Sequence, residues 1–303
     1  MGTSSMYKGR NKSPLLPADF DDGGGIDPDN SNLPVDSNEK PEDAKTDNGK
    51  EPDNSDSTEQ PNDIIQPSQE KGNKNSEDTS WKKAKTKMSK YASGRGGAKG
   101  KQNAVSLYIK AYGGARNAAR TAKAGINTTI KIGNFFDGVS NKGISQVLKD
   151  NNIQTEGRSS KEILADIVNA LAPSPDTNDD SVARKALIKT MSVIYEKFED
   201  EKQDISLLDT LDSDISKILV TKYIETFIYE RLIHDVGSRI ENKAENSNQV
   251  LKIEKELKEY IESKVSTTLK DKPLSFINSQ TKNLYAYVEE LYHQCYKVLE
   301  DQL

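Results

Sequence analysis

The stretch DSDISKILVTKYIETFIYERLIHDVGSRIENKA, residues 212–244, decides the fold. Ile215, Ile218, Leu219, Ile224, Phe227, Ile228, Ile233, Val236 and Ile240 recur in it at steps of three and four. That spacing lays apolar side chains along one side of an α-helix. No proline interrupts the run, and a stripe this long needs several partners to cover it. The neighbouring sequence supplies them. Upstream, Asp179 or Ser181 opens a helix through RKALIKTMSVIYEKFE (184–199), with Leu187, Met191, Ile194 and Phe198 on one face. Downstream of a loop at 245–247, a helix carries Leu251, Ile253, Leu257, Ile261, Val265 and Leu269. Pro273 separates it from a final helix through Val288, Leu291, Tyr292, Cys295 and Leu299.

The same periodicity continues toward the N-terminus. RSSKEILADIVNALAPSP (158–175) has a start and a stop: Ser159 or Ser160 caps it, Glu162 falls in its first turn, and Pro173 and Pro175 end it. IKIGNFFDGVSNKGISQVLKD (130–150) reads as one or two short helices broken near Gly138 and Gly143. In AVSLYIKAYGGARNAARTAKAG (104–125) the apolar spacing again suits a helix, which Gly113 and Gly114 either interrupt or allow to cross a neighbour closely. No segment alternates with period two. The expected class is all-α, a bundle-like domain over 104–303 preceded by a long disordered N-terminal tail.

Composition supports the tail. A hydrophobic fraction of 33% and a mean hydropathy of -0.80 are too low for 303 residues folded throughout. From 18 to 80 the chain is Asp, Asn, Pro, Gly, Ser and Glu with hardly an aliphatic residue. Such a segment cannot bury enough apolar surface to offset about 1–2 kcal/mol of backbone entropy per residue, and it reads as a disordered acidic linker. At Trp81 the sign of the charge flips. From there to Phe136 stand thirteen Lys and Arg and no acid, although the whole chain carries a net charge of only -5. The Gly- and Ser-rich first part, 81–103, is expected to be flexible.

Catalytic chemistry has little to work with. One cysteine, Cys295, and two histidines, His234 and His293, exclude a disulfide framework and leave a metal or haem centre almost without ligands, so no cofactor is expected. The Gly runs at Gly23 and Gly94 lack the strand and helix of a phosphate loop. Glu230, His234 and Asp235 form the best enzymatic cluster, yet pairs such as Glu230 with His234 or Asp235 with Arg239 at four-residue spacing read more simply as helix-surface stabilisers. Cys295 beside His293 reads as a buried thiol next to a surface imidazole. No apolar run reaches the roughly 20 residues a membrane span needs, and the N-terminus lacks a signal-peptide core, so a cytoplasmic protein that is not itself an enzyme is expected.

Two interaction segments remain. Trp81, Lys82, Lys83, Lys85, Lys87, Arg95, Arg116 and Arg120, interleaved with Tyr91, Tyr108 and Tyr112, offer phosphate contacts and stacking rings for nucleic acid. An acidic partner surface or the chain's own acidic linker would equally suit those cations. Residues 1–17, MGTSSMYKGRNKSPLLP, carry no acid and end in the apolar turn Pro14, Leu15, Leu16, Pro17. Removal of Met1 exposes the α-amine of Gly2, whose usual pKa of about 7.7–8 leaves part of it neutral and nucleophilic. The myristoylation pattern fails at Met6, where it needs Ser or Thr, which makes lipid attachment a poor reading. On these residues alone, an incidental start and an incidental apolar patch are equally open readings.

The opening GTSSMYKG (2–9), the PLLP turn, and the segments GGARNAARTAKAG (113–125), ALAPSPDTNDDSVARKAL (170–187) and YIETFIYERL (223–232) together resemble the QatB component of the bacterial Qat anti-phage defence operon. The resemblance implies operon partners: an ATPase, a QueC-like enzyme and a TatD-like metal-dependent nuclease. Enzymes of the QueC type activate a deazaguanine carboxylate with ATP for attack by ammonia, and a protein amine can replace ammonia. The resemblance thereby implies that Gly2 is a modification acceptor, with Thr3, Ser4 and Ser5 allowing close backbone approach and Pro14 to Pro17 docking as an anchor.

Overall fold

The computed structural model describes residues 74–201, 205–206, 213–274, 277 and 282–301. Residues 18–73 of the linker expected over 18–80, and the segment 1–17, lie outside them. Among the described residues every regular element is helical and no strand occurs, as the three- and four-residue periodicity requires. All of the described residues belong to one compact unit.

The decisive stretch forms α8 (Ser213–Glu241), which packs against α1 (Lys74–Ala92), α4 (Lys123–Lys142), α7 (Asn178–Glu201) and α9 (Ser247–Leu269). Tyr223, Ile224, Phe227, Val236 and Ile240 of its stripe are fully buried. Ile218, expected within that stripe, is instead 62% exposed. Along α9, Val250, Ile253, Leu257, Ile261, Val265 and Leu269 face the core. Lys217 bonds the carbonyl of Lys270 and Lys222 bonds Glu262, which fixes α8 and α9 antiparallel.

A second layer is built on α10 (Leu284–Glu300), which meets α2 (Gly100–Ala111), α3 (Ala115–Thr121), α4 and α9. Between α2 and α3, Gly113 and Gly114 adopt φ of +87° and +92°, which side chains rarely tolerate; the glycine pair interrupts the helix. Helix α4 continues through Gly138 and stops at Gly143, before α5 (Ile144–Asp150), so only one of the two expected breaks exists. The unbroken helix lets α4 approach its neighbours closely. A methyl group on Gly125 would lie 2.6 Å from the Phe227 ring, and one on Gly133 would fall on the side chain and carbonyl oxygen of Ile277. In α6 (Ser160–Leu171) the Ser159 hydroxyl accepts from the Glu162 N–H while the Glu162 carboxylate accepts from the Ser159 N–H, the reciprocal cap expected there. The helix ends before Pro173.

One expectation is overturned. The supposedly flexible segment 81–103 is mostly helical, since α1 runs to Ala92, α2 begins at Gly100, and the tail boundary placed at 80 falls inside α1. Ala84, Met88 and Ala92 repeat every four residues and are buried at 1% exposure or less, in a helix pair with α2. Small apolar residues between lysines pack against another helix as effectively as a conventional stripe.

Candidate functional site

The three helical-domain segments that carry the family resemblance meet at one side chain. Arg231 of α8 is 6% exposed, and its guanidinium reaches α3, α7 and α10. One terminal nitrogen donates to the Ala118 carbonyl at 2.9 Å and to the Tyr296 hydroxyl at 3.3 Å; the other donates to Thr121 Oγ1 at 3.0 Å. Nε lies 3.8 Å from Asp179 Oδ1, a charge contact too long to be a hydrogen bond. Its flat face covers the Tyr112 ring at 4.4 Å. The planar, five-donor fork of arginine suits such a junction, where a lysine could satisfy only part of the set.

Two carboxylates complete the cluster. Asp179 Oδ2 accepts from the N–H of Ala124 at 2.8 Å, at the start of α4. Burial pushes its carboxyl above the ordinary range, against the opposing pull of that N–H and of Arg231. Asp235 Oδ2 accepts from the hydroxyls of Tyr108 (2.8 Å) and Tyr112 (2.6 Å), tying α8 to α2. Desolvation, reinforced by the charge of Asp235, drives the Tyr108 hydroxyl far above its usual pKa. Nearby, Glu300 closes the end of α10 by accepting from the Ala115 N–H at 2.9 Å.

The triad Glu230, His234 and Asp235 is not brought together. Glu230 is 3% exposed and turns to α7, where Lys189 bonds it at 2.7 Å and Lys185 stands 3.7 Å away. Asp235 turns to α2, and His234 is exposed. The expected surface pairs, Glu230 with His234 and Asp235 with Arg239, are replaced by these contacts between helices. The signal was present in the sequence: Glu230 and Arg231 stand three and four residues beyond Phe227, in register with the buried stripe. Cys295 is fully buried and its thiol is pushed well above the usual value by desolvation, while the His293 Nδ1 sits 3.3 Å from Glu290. Among the described residues no group of three or more His, Cys, Asp or Glu could hold a metal ion.

The basic segment divides by residue type. Its aromatic rings are taken into the fold: Trp81 meets Tyr112 edge-on at 5.1 Å and Tyr108 at 6.0 Å, and the Tyr91 hydroxyl donates to Glu256 at 2.7 Å. The expected stacking rings are therefore engaged within the protein. Its cations point outward. Lys82, Lys83, Arg95, Arg116 and Arg120 are exposed; Lys85 and Lys87 are half-buried, with Lys85 6.0 Å from the centre of the Trp81 ring. The expected acceptor Gly2 and the docking residues Thr3, Ser4, Ser5, Pro14, Leu15, Leu16 and Pro17 lie outside the described residues.

Comparison with known proteins adds one match. A family model described as "QatB: Qat anti-phage system associated protein QatB" covers residues 113–299, from α3 into α10, which include Arg231, Ala118, Thr121, Asp179, Asp235 and Tyr296 of the junction but not Tyr108 or Tyr112. No curated protein and no solved structure matches the chain.

Proposed function

The chain belongs to the QatB family of the Qat anti-phage system, and from that premise we propose that it is a non-enzymatic subunit whose Gly2 α-amine accepts a covalent group from a QueC-like partner. The observation that carries this reading is where reactive groups are spent. Within the matched region Arg231, Glu230, Asp235 and Cys295 are committed to interhelical contacts or to the core, which suits a domain that holds other proteins. The nucleophile is then the chain terminus, set in the small residues Thr3, Ser4 and Ser5.

In the proposed step the partner first joins the carboxylate of a deazaguanine-type acid to AMP, releasing pyrophosphate from ATP. The neutral amine of Gly2 attacks the acyl carbon, the C–N bond forms, AMP leaves with the electron pair of the C–O bond, and the surplus ammonium proton passes to solvent. Pro14 to Pro17 dock on the enzyme. The helical domain gathers the other subunits, an ATPase and a TatD-like nuclease, in the cytoplasm. Among the described residues no helix is long and apolar enough to cross a membrane.

Intact mass of the N-terminal peptide tests the proposal in cells expressing the operon with and without the QueC-like protein. An added mass on Gly2 that disappears with the partner is expected; an unmodified Gly2 beside an active partner refutes it. Replacing Gly2 with a bulky residue that retains Met1 should abolish defence.

A further inference from the structure

The distribution of charge singles out one surface. Beyond Phe136 acids are interleaved with the cations and several pairs form: Lys189 with Glu230, Lys222 with Glu262, Lys142 with Asp150, Arg158 with Asp166. None of the thirteen Lys and Arg from Lys82 to Lys131 makes an ion pair among the described residues. The fold also draws several of them to one place. Trp81 of α1 packs on Tyr112 just beyond α2, the Asn117 amide of α3 donates to the Tyr112 carbonyl, and Arg120 donates to Asn117 at 2.9 Å. Lys82, Lys83 and Lys85 of α1, Lys110 of α2, and Arg116 and Arg120 of α3 thus collect around the C-terminal end of α2.

We propose that this end of α2 docks the phosphate backbone of double-stranded nucleic acid and recognises it by charge alone. Two features favour that partner over an acidic protein. Protein interfaces are anchored by buried apolar and aromatic side chains. Yet the exposed large apolar residues Val193, Ile218, Leu251 and Tyr285 all lie outside the segment 82–131. A phosphate backbone needs no such anchor, because neutralised phosphates release counterions and supply the free energy. Engagement of the Trp81, Tyr108 and Tyr112 rings inside the fold favours a duplex over a single strand, whose bases require free aromatic faces. The inference is independent of the Gly2 reaction.

Fluorescence anisotropy with the full chain, carrying an unmodified Gly2, tests it on labelled DNA and RNA duplexes of about 20 base pairs and on single strands. Affinity is expected to fall with the logarithm of salt with a slope of about -4, for four or five phosphates neutralised. Binding should be insensitive to sequence and stronger for duplexes than for single strands. The chain with Lys82→Glu, Lys83→Glu, Arg116→Glu and Arg120→Glu should lose at least about tenfold in affinity; Lys252→Glu with Lys255→Glu on α9 should leave it within about twofold. The salt slope requires no variant, and circular dichroism verifies that both variants fold. The proposal is overturned by absence of binding at about 0.1 M salt, by a flat salt response, by preference for single strands or one sequence, or by a polyglutamate peptide of equal charge binding as tightly. Failure here would leave the N-terminal mass result untouched.

Discussion

Removing the guanidinium of Arg231 would leave the Ala118 carbonyl, Thr121 and Asp179 around a gap with a carboxylate on its border. Breaking a buried ion contact by deleting one partner costs about 3–5 kcal/mol, so Arg231→Met should lower the urea midpoint by that equivalent, and Arg231→Lys should restore only part of it. Asp179 gives a pH test. Its pKa is raised by burial, so the folded state binds the proton more tightly than the unfolded state, and stability from this group falls as pH rises through the window above the ordinary carboxylate value. Thermal melts of the native chain and of Asp179→Asn should therefore diverge in the variant's favour as pH climbs from about 4 to about 6. The ionisable residues of α8 were visible in the sequence, but their directions were not. A four-residue spacing between opposite charges is the same whether the pair sits on a surface or its members turn inward to different helices, and only register with Phe227 distinguishes the two cases.

Helices differ in how much of their signal is local. The cap of α6 could be read directly because Ser159 and Glu162 satisfy each other three residues apart, with no help from the rest of the molecule. Helix α1 could not, because its lysine-rich sequence acquires a buried face only when Ala84, Met88 and Ala92 find α2. Met88 has no exposed surface, so Met88→Ala should cost about 2–5 kcal/mol. The same change should abolish the slow amide exchange expected along 84–92, whereas a loose basic segment would exchange fast in both chains.

Across the described helices, α8 packs against α1, α4, α7 and α9, and α10 against α2, α3, α4 and α9, so that α4 and α9 are shared between them. Helices so interleaved have no partner to keep once one is lost, and a single cooperative transition is expected. Trp81 is the only tryptophan and packs between α1 and α2 at the edge of the Arg231 junction. Its fluorescence and the far-UV circular dichroism should change with the same denaturant midpoint; an earlier fluorescence transition would mean that α1 detaches by itself. The family match begins at Gly113, yet Tyr108 and Tyr112 from before that point bond Asp235 within it. The cooperative unit is therefore larger than the recognisable one.

The burial of Cys295 gives the protein a built-in clock. A thiol with no exposed surface and a pKa forced upward reacts with an alkylating reagent only while the surrounding helices are apart. Since it is the only cysteine, the whole alkylation signal comes from one position at the centre of the domain. The rate of thiol capture in the native buffer would then measure how often the bundle opens, without denaturant or substitution.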